Sequence, residues 1–389
     1  MTTHAALLKP LFLLDPSITF LNHGSFGACP QPVLDACQAW QREMERNPVE
    51  FLSRRSAALL LEAREALAAF VGTTADRLVF MPNATTAVYT VIQSLALGPG
   101  DEILTTDHEY GACEAGWDHV AARSGARRVA IPIPLPLDAA DYADRIWAGV
   151  TPRTRVLFLS HISSQSALVF PIAELIARAR TAGIISIVDG AHAPGQVPLA
   201  LDTLGADFYA GNCHKWLCAP KGAAFLYARP EQQALLQATT VSWGYQEPPV
   251  PAQAAYLGDT IFERRLQWQG TRDISPWLSV PAAIDFQRRH DWDDVRADSH
   301  ARAIRLLERV CALTGLPSIG TPEDFAQMVP LPVPMMDGAA LKARLFDEFR
   351  IEVPVTSHSG RLLVRASFQG YNGDDDADAL YEALRAIVQ

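Results

Sequence analysis

The chain has no apolar run approaching the roughly 18 residues that cross a bilayer, so a membrane-spanning protein is not expected. Its apolar patch at Leu11–Leu14, flanked by Pro10 and Pro16, is too short for the core of a secretory signal, which makes the cytoplasm the expected compartment. Basic residues are outnumbered, 33 Lys and Arg against 43 Asp and Glu, for a net charge of −10. Without a basic stripe, a nucleic-acid or anionic-membrane partner is disfavoured. The six cysteines, Cys29, Cys37, Cys113, Cys213, Cys218 and Cys311, form neither a disulfide framework nor a zinc spacing, and read as core thiols. Internal repeats and low-complexity segments are also absent. A content of 49% hydrophobic and 20% charged residues excludes a disordered chain.

What is present is a rhythm. Short apolar runs at Leu78–Met81, Glu102–Thr105, Arg128–Ile131, Val156–Ser160 and Ile184–Val188 alternate with helical stretches such as Thr85–Leu97, Gly111–Arg123 and Ile172–Ala182. Such alternation predicts an α/β fold with a mainly parallel sheet covered by helices on both faces. Before it come two amphipathic helices, about Gln31–Arg46 and Ser53–Phe70. Arg54 and Arg55, at the start of the second, would either pair with Glu50 or Glu62 or hold a substrate carboxylate. After Pro230 the rhythm breaks into an irregular stretch, Val241–Tyr256, of a kind that is often functional. A long helix over Pro276–Arg289 is predicted to join the domains. Helices at Arg302–Leu313, Ala339–Arg350 and Asp376–Val388 with strands at Val329–Pro332 and Leu362–Ser367 then predict a smaller α+β domain. The expected division is an N-terminal segment over 1–50, a large domain over 51–280 and a small domain over 281–389.

Two stretches carry the chemistry. Ile185-Ser-Ile-Val-Asp-Gly-Ala-His192 reads as a buried strand ending on a carboxylate, Asp189. Ala210-Gly-Asn-Cys-His-Lys-Trp216 sets a lysine, Lys215, in a loop between two apolar runs, Asp207–Ala210 and Ala223–Tyr227. A lysine there is poorly explained as a surface charge. Pyridoxal phosphate needs an amine for its Schiff base and a carboxylate to keep its ring nitrogen protonated, and these two residues would supply both.

Val188-Asp-Gly-Ala-His192, Gly211-Asn-Cys-His-Lys215 and Pro220-Lys-Gly222 resemble the signature of class V, aminotransferase-fold pyridoxal-phosphate enzymes. Leu21-Asn-His-Gly-Ser-Phe-Gly27, Asp107-His-Glu-Tyr-Gly111 and Ser160-His-Ile-Ser-Ser-Gln165 are most similar to the isopenicillin N epimerase-like branch. The resemblance runs from about Phe20 to Asp376. It implies fold type I, a large mainly parallel sheet domain with a smaller α+β domain, and a homodimer with shared active sites. It implies action at Cα of a small-molecule α-amino acid by epimerisation or C–S lysis, with amino-group transfer to a keto acid as the alternative. A cofactor-binding sensor without turnover is the non-enzyme reading, disfavoured by the retained lysine, carboxylate and substrate arginine.

The site residues follow. Asn83-Ala-Thr-Thr86 opens a helix whose free N–H groups suit a phosphate, and the resemblance places that phosphate at Ala84 and Thr85, with Asn212 and His214 opposite. Gly270 and Thr271 resemble the segment that reaches the neighbouring subunit's phosphate. Tyr110 resembles the ring that stacks on the pyridine, with His108 as a rival. His192 falls where relatives hydrogen-bond the cofactor's phenolic oxygen, and Ser164 stands where asparagine is frequent in the desulfurase branch. Arg365 lies in an apolar strand, where a buried charge must be paired or functional, and its planar fork suits a substrate carboxylate. Asn22, His23 and His358 are further candidates for substrate binding. The stretch Val353–Arg361, where a cysteine desulfurase carries its thiolate, has no cysteine, so persulfide chemistry is not expected. His358 and Arg361 there read either as an exposed polar turn or as a site for a second acidic group or a proton relay.

Overall fold

The computed structural model describes residues 4–248 and 250–389, leaving Met1–Thr3 of the N-terminal segment and Pro249 of the irregular 241–256 stretch outside it. After a two-residue strand β1 (Thr19–Phe20), seven strands build the main sheet: β2 (Leu78–Met81), β3 (Glu102–Thr106), β4 (Arg127–Ile131), β5 (Thr154–Ser160), β6 (Ile185–Asp189), β7 (Phe208–Asn212) and β8 (Ala224–Ala228). Their order is β2-β8-β7-β6-β5-β3-β4, with β8 alone running antiparallel to its neighbours. The expected α/β fold with a mainly parallel sheet is what forms.

The central strands are mostly apolar and buried because both faces are covered. Successive side chains point to opposite faces, so each strand feeds two separate cores. Leu157, Leu159, Val188, Tyr209 and Phe225 pack on one side, and Val156, Phe158, Ile187, Phe208 and Leu226 on the other. The parallel strands also share a direction, so their carboxyl ends gather at one edge, where open α/β sheets place ligands.

A second sheet, order β11-β12-β9, is formed by β9 (Met328–Val333), β11 (Val355–His358) and β12 (Arg361–Ser367). Pro330 and Pro332 are tolerated in β9 because it is an edge strand paired only with β12. Helices Trp292–Thr314 and Gly338–Asp347 pack on this sheet, and Asp374–Val388 packs against Trp292–Thr314. The N-terminal segment joins the same region, since β1 pairs in parallel with β10 (Ile351–Glu352).

Four local expectations change. The single helix over Pro276–Arg289 is two, Ser275–Leu278 and Val280–Arg289, because Pro281 has no N–H to continue the ladder. The longest helix is Trp292–Thr314, ten residues earlier in its start than the Arg302–Leu313 pattern suggested. Val353–Arg361 is no loose turn: Val355–His358 pairs residue by residue with β12, closing a hairpin at Ser359 and Gly360. Arg55 meets Glu43 at 2.6 Å, neither Glu50 nor Glu62, and Phe51–Arg55 forms a π-helical turn ahead of the helix Ser56–Val71.

Candidate active site

Three strand ends, the loop after one of them and one helix start converge on a cavity of about 390 Å³. β6 delivers Asp189, β5 delivers Ser160, β7 delivers Asn212, and the loop after β7 delivers His214 and Lys215. The helix Ala84–Ser94 points its first turn into the same space, bringing Ala84 and Thr85. Its N-cap Asn83 accepts from the N–H of Thr86 at 2.8 Å, and Asn212 accepts from the N–H of Ala84 at 2.8 Å. Those bonds fix the helix start against β7 and orient an electropositive terminus towards the cavity. Tyr110, His192 and Ser164 line it as well.

Asp189 is buried, and among the described residues no cation lies within ion-pair distance of it. Its partners are the backbone N–H of Ala191 at 3.0 Å and the thiol of Cys113, which donates to Oδ2 across 3.4 Å. Burial raises its carboxyl above the usual range, and the nearby Lys215 opposes that only in part. A buried carboxylate held this way is short of a positive partner.

Lys215 is depressed to about 8, first by burial and then by the positive field of Arg365. Its Nζ lies 3.1 Å from His192 Nε2, while the indole of Trp216 approaches His192 Nδ1 at 3.4 Å. An indole N–H can only donate, so Nδ1 is the acceptor and Nε2 carries the proton. That tautomer donates to a neutral amine or to another acceptor placed beside it. The lysine loop is braced from outside the sheet. His23 contacts the Lys215 carbonyl through Nε2 at 3.0 Å and the Tyr371 hydroxyl through Nδ1 at 3.0 Å. Gly27, at φ +72°, crosses so close to this loop that a Cβ would meet the His214 carbonyl oxygen at 2.0 Å.

Arg365 is buried in β12, with no acidic partner among the described residues. Nη1 donates to the backbone carbonyl of Ser164 and, at 3.3 Å, to its hydroxyl; Nη2 donates to Ser25 Oγ at 3.2 Å. Nε has no partner. Burial lowers its pKa to about 10. Ser25 and Ser164 both line the cavity, so this guanidinium sits directly behind its wall.

The structure therefore gathers Ala84, Thr85, Tyr110, Asp189, His192, Asn212, His214 and Lys215 around one cavity, with Arg365 behind it. Other candidates stand elsewhere. Asn22 is spent on Glu352 and Ser25, at 3.1 and 2.6 Å, and with His23 it shapes the loop that Ser25 and Phe26 present to the cavity. Gly270 and Thr271 are outside this chain's cavity lining. His358 lies outside it too, its ring 3.9 Å from that of His108. Burial holds both imidazoles below their ordinary range, His108 at about 4. His108 is thus packed under the wall, and of the two rival rings it is Tyr110 that reaches the cavity. Cys113, Ser25 and Trp216 were not singled out from sequence; each acts through a contact distant in the chain.

The chain matches the family described as aminotransferase class V over residues 20–380. It is 39% identical to isopenicillin N epimerase from Streptomyces clavuligerus, over 97% of this chain and 96% of that protein. It is 30% identical to putative L-cysteine desulfhydrase 1 from Oryza sativa subsp. japonica, over 96% and 84%. Among solved structures, C-DES with glycine covalently linked to its PLP cofactor superposes with a TM-score of 0.83 at 24% identity, covering 95% of this chain and 97% of that one. An apo cysteine desulfurase from Thermococcus onnurineus NA1 gives 0.82 at 21% identity, covering 100% and 98%. The residues here fit the cofactor of this family: a buried carboxylate short of a cation, a lysine of lowered pKa, and a helix start open to an anion. A match of this extent settles the family: the chain belongs to the class V aminotransferases, and pyridoxal phosphate is its cofactor.

Proposed function

We propose that this enzyme moves the α-proton of an α-amino acid, as an epimerase or a C–S lyase. One observation carries the reading. A buried arginine without a counter-ion, Arg365, backs the cavity that holds Lys215 and Asp189, which suits an amino acid bound by its carboxylate with Cα towards the lysine.

Pyridoxal phosphate, bound through Lys215, supplies an electron sink for the Cα carbanion. Asp189 would keep the ring nitrogen protonated, and the pyridinium would relieve the cost of burying that carboxylate. The Nε2–H of His192 would donate to the phenolic oxygen. The helix start at Ala84 and Thr85, with Asn212 and His214, would hold the phosphate, while Tyr110 would cover the ring face. Lys215 would take the proton from Cα. Its lowered pKa matches that task, since an amine titrating near neutrality serves as both acid and base.

Epimerisation is favoured by the 39% identity to an epimerase, and C–S lysis by the 30% identity to a desulfhydrase. Both begin with loss of the α-proton and neither requires a protein thiol. We further propose that persulfide-type desulfuration is outside its repertoire. The hairpin between β11 and β12 has no cysteine, and Cys113 and Cys218 are buried with their thiols pushed well up. Two copies would share each cavity, Gly270 and Thr271 completing the neighbour's phosphate site. The experiment is a panel of L- and D-amino acids followed for inversion at Cα, release of sulfide and formation of keto acid. Solvent deuterium should enter Cα of the accepted substrate. Keto acid with stoichiometric amino transfer and no inversion or sulfide would overturn the proposal in favour of an aminotransferase.

A further inference from the structure

Below the cavity wall, three side chains from two distant segments face one another. Asp107 and His108 follow β3, and His358 ends β11. The two imidazole rings lie 3.9 Å apart at 44°, and Asp107 approaches His108 Nε2 at 3.9 Å through Oδ1 and His358 Nε2 at 4.0 Å through Oδ2. One ligand atom from each residue falls within 4.8 Å of the other two.

Among the described residues neither Nε2 atom has a partner at hydrogen-bond geometry, on side chains 0% and 8% exposed, although the Ile133 backbone lies close enough to act on the His108 ring. An unmatched buried nitrogen is costly, and here two of them face a single carboxylate. Two of the neighbouring polar atoms are matched. His108 Nδ1 pairs with Ser166 Oγ at 3.0 Å, and Asp107 Oδ1 accepts from the N–H of Ile133 at 3.0 Å. Metal-binding histidines are typically oriented this way, through the ring nitrogen that does not ligate.

We propose that Asp107, His108 and His358 form a binding site for one divalent first-row transition-metal ion of the zinc class. A set of two imidazoles and one carboxylate suits such ions and is poor for magnesium or calcium, which prefer oxygen ligands. An ion at the centre would lie about 2.5 Å from each ligand atom, against about 2.0–2.1 Å for a zinc–nitrogen bond, so small side-chain rotations close the site. Asp107 is 33% exposed, which leaves a route for entry and room for a water as fourth ligand. The ion's role is structural. It would clamp the β11–β12 hairpin, whose second strand carries Arg365, onto the segment that carries Tyr110.

The test uses the full-length holoprotein, dialysed against chelator and titrated with Co(II) and Zn(II). One Co(II) per chain should bind with visible d–d bands typical of nitrogen and oxygen ligands, and Zn(II) should displace it. His358→Gln and Asp107→Asn, shown by circular dichroism to be folded, should each weaken Co(II) binding by at least ten-fold. Zn(II) should raise the Tm of the wild type and not of His358→Gln. Unchanged affinity in both variants would overturn the assignment. So would no stoichiometric uptake by the wild type, a thiolate-to-cobalt charge-transfer band, or binding that disappears with the cofactor.

Discussion

The thiol of Cys113 donates to Asp189 Oδ2 across 3.4 Å, from a helix that begins beside Tyr110 to the last residue of a central strand. The carboxylate that would face the pyridinium is thus oriented by one weak donor and one backbone N–H. The two contacts have unequal consequences. Asp189→Ala removes one partner of a buried charge pair, worth roughly 3–5 kcal/mol, and should lower kcat/KM by about 10²–10⁴-fold. Cys113→Ala removes about 1 kcal/mol of hydrogen bonding and should cost about five-fold. Steady-state kinetics on both variants checks the ratio; equal losses would mean that the thiol does more than orient.

The lysine amine and the arginine are electrostatically linked, which fixes the sign of a pH shift. Lys215 is depressed to about 8, and Arg365 is the second cause after burial. Only the neutral amine captures an aldehyde, so uptake of pyridoxal phosphate by cofactor-depleted protein should accelerate as pH rises through about 8. In Arg365→Gln the ammonium form is no longer repelled, its pKa rises, and the midpoint should move to higher pH. Stopped-flow absorbance at several pH values measures both midpoints. A shift to lower pH would contradict the linkage.

Arg365→Lys keeps the charge but loses the planar fork. A substrate carboxylate would lose one charge-assisted hydrogen bond, about 1.5–3 kcal/mol, so KM should rise by about 10–150-fold. The absorbance of the bound cofactor should stay unchanged, which separates a substrate role from a general loss of the cavity.

Gly27→Ala should damage the site although Gly27 does not itself line the cavity. The added methyl would meet the His214 carbonyl oxygen at 2.0 Å, and φ of +72° strains any residue with a Cβ. A cost of about 1–3 kcal/mol is expected, seen as a lower Tm and faster loss of pyridoxal phosphate on dialysis. An unchanged dissociation rate would show that the loop from Asn22 to Gly27 does not hold the lysine loop in place.

Shared cavities predict complementation. Lys215→Ala and Thr271→Ala protomers, unfolded together and refolded, should give more activity than the sum of the two alone, because one cavity of each heterodimer regains both intact residues. Purely additive activity would mean that Thr271 serves its own chain.

What could be read from the sequence was the chemistry that sits in short motifs. Asp189 ends a buried strand that is apolar but for Ser186, and Lys215 lies in a loop between two others, so residue type and local pattern agreed. The sheet was legible for the same reason, since strands buried on both faces leave unbroken apolar runs. Contacts that join distant segments left no such trace. Cys113 reaches Asp189 across 76 residues, and Arg365 reaches Ser164 and Ser25 across 201 and 340. The β11 hairpin was obscured because Thr356 and Ser357 are polar and a turn-like Ser-Gly follows His358; its identity comes from pairing with β12, which local composition does not encode. Asn22 and His23 have the composition of a ligand-binding loop, yet their side chains are spent on Glu352, Ser25, Tyr371 and the Lys215 backbone.

His23 spans 348 residues to reach Tyr371, and through its other nitrogen it steadies the backbone of Lys215. The brace on the lysine loop is therefore assembled from an early part of the polypeptide and a very late one. During synthesis the seven-stranded sheet can emerge and pack while Tyr371 is still inside the ribosome, leaving Lys215 without this support. A chain not yet extended to Tyr371 would lack that support and would hold pyridoxal phosphate more loosely than one in which Tyr371 has met His23.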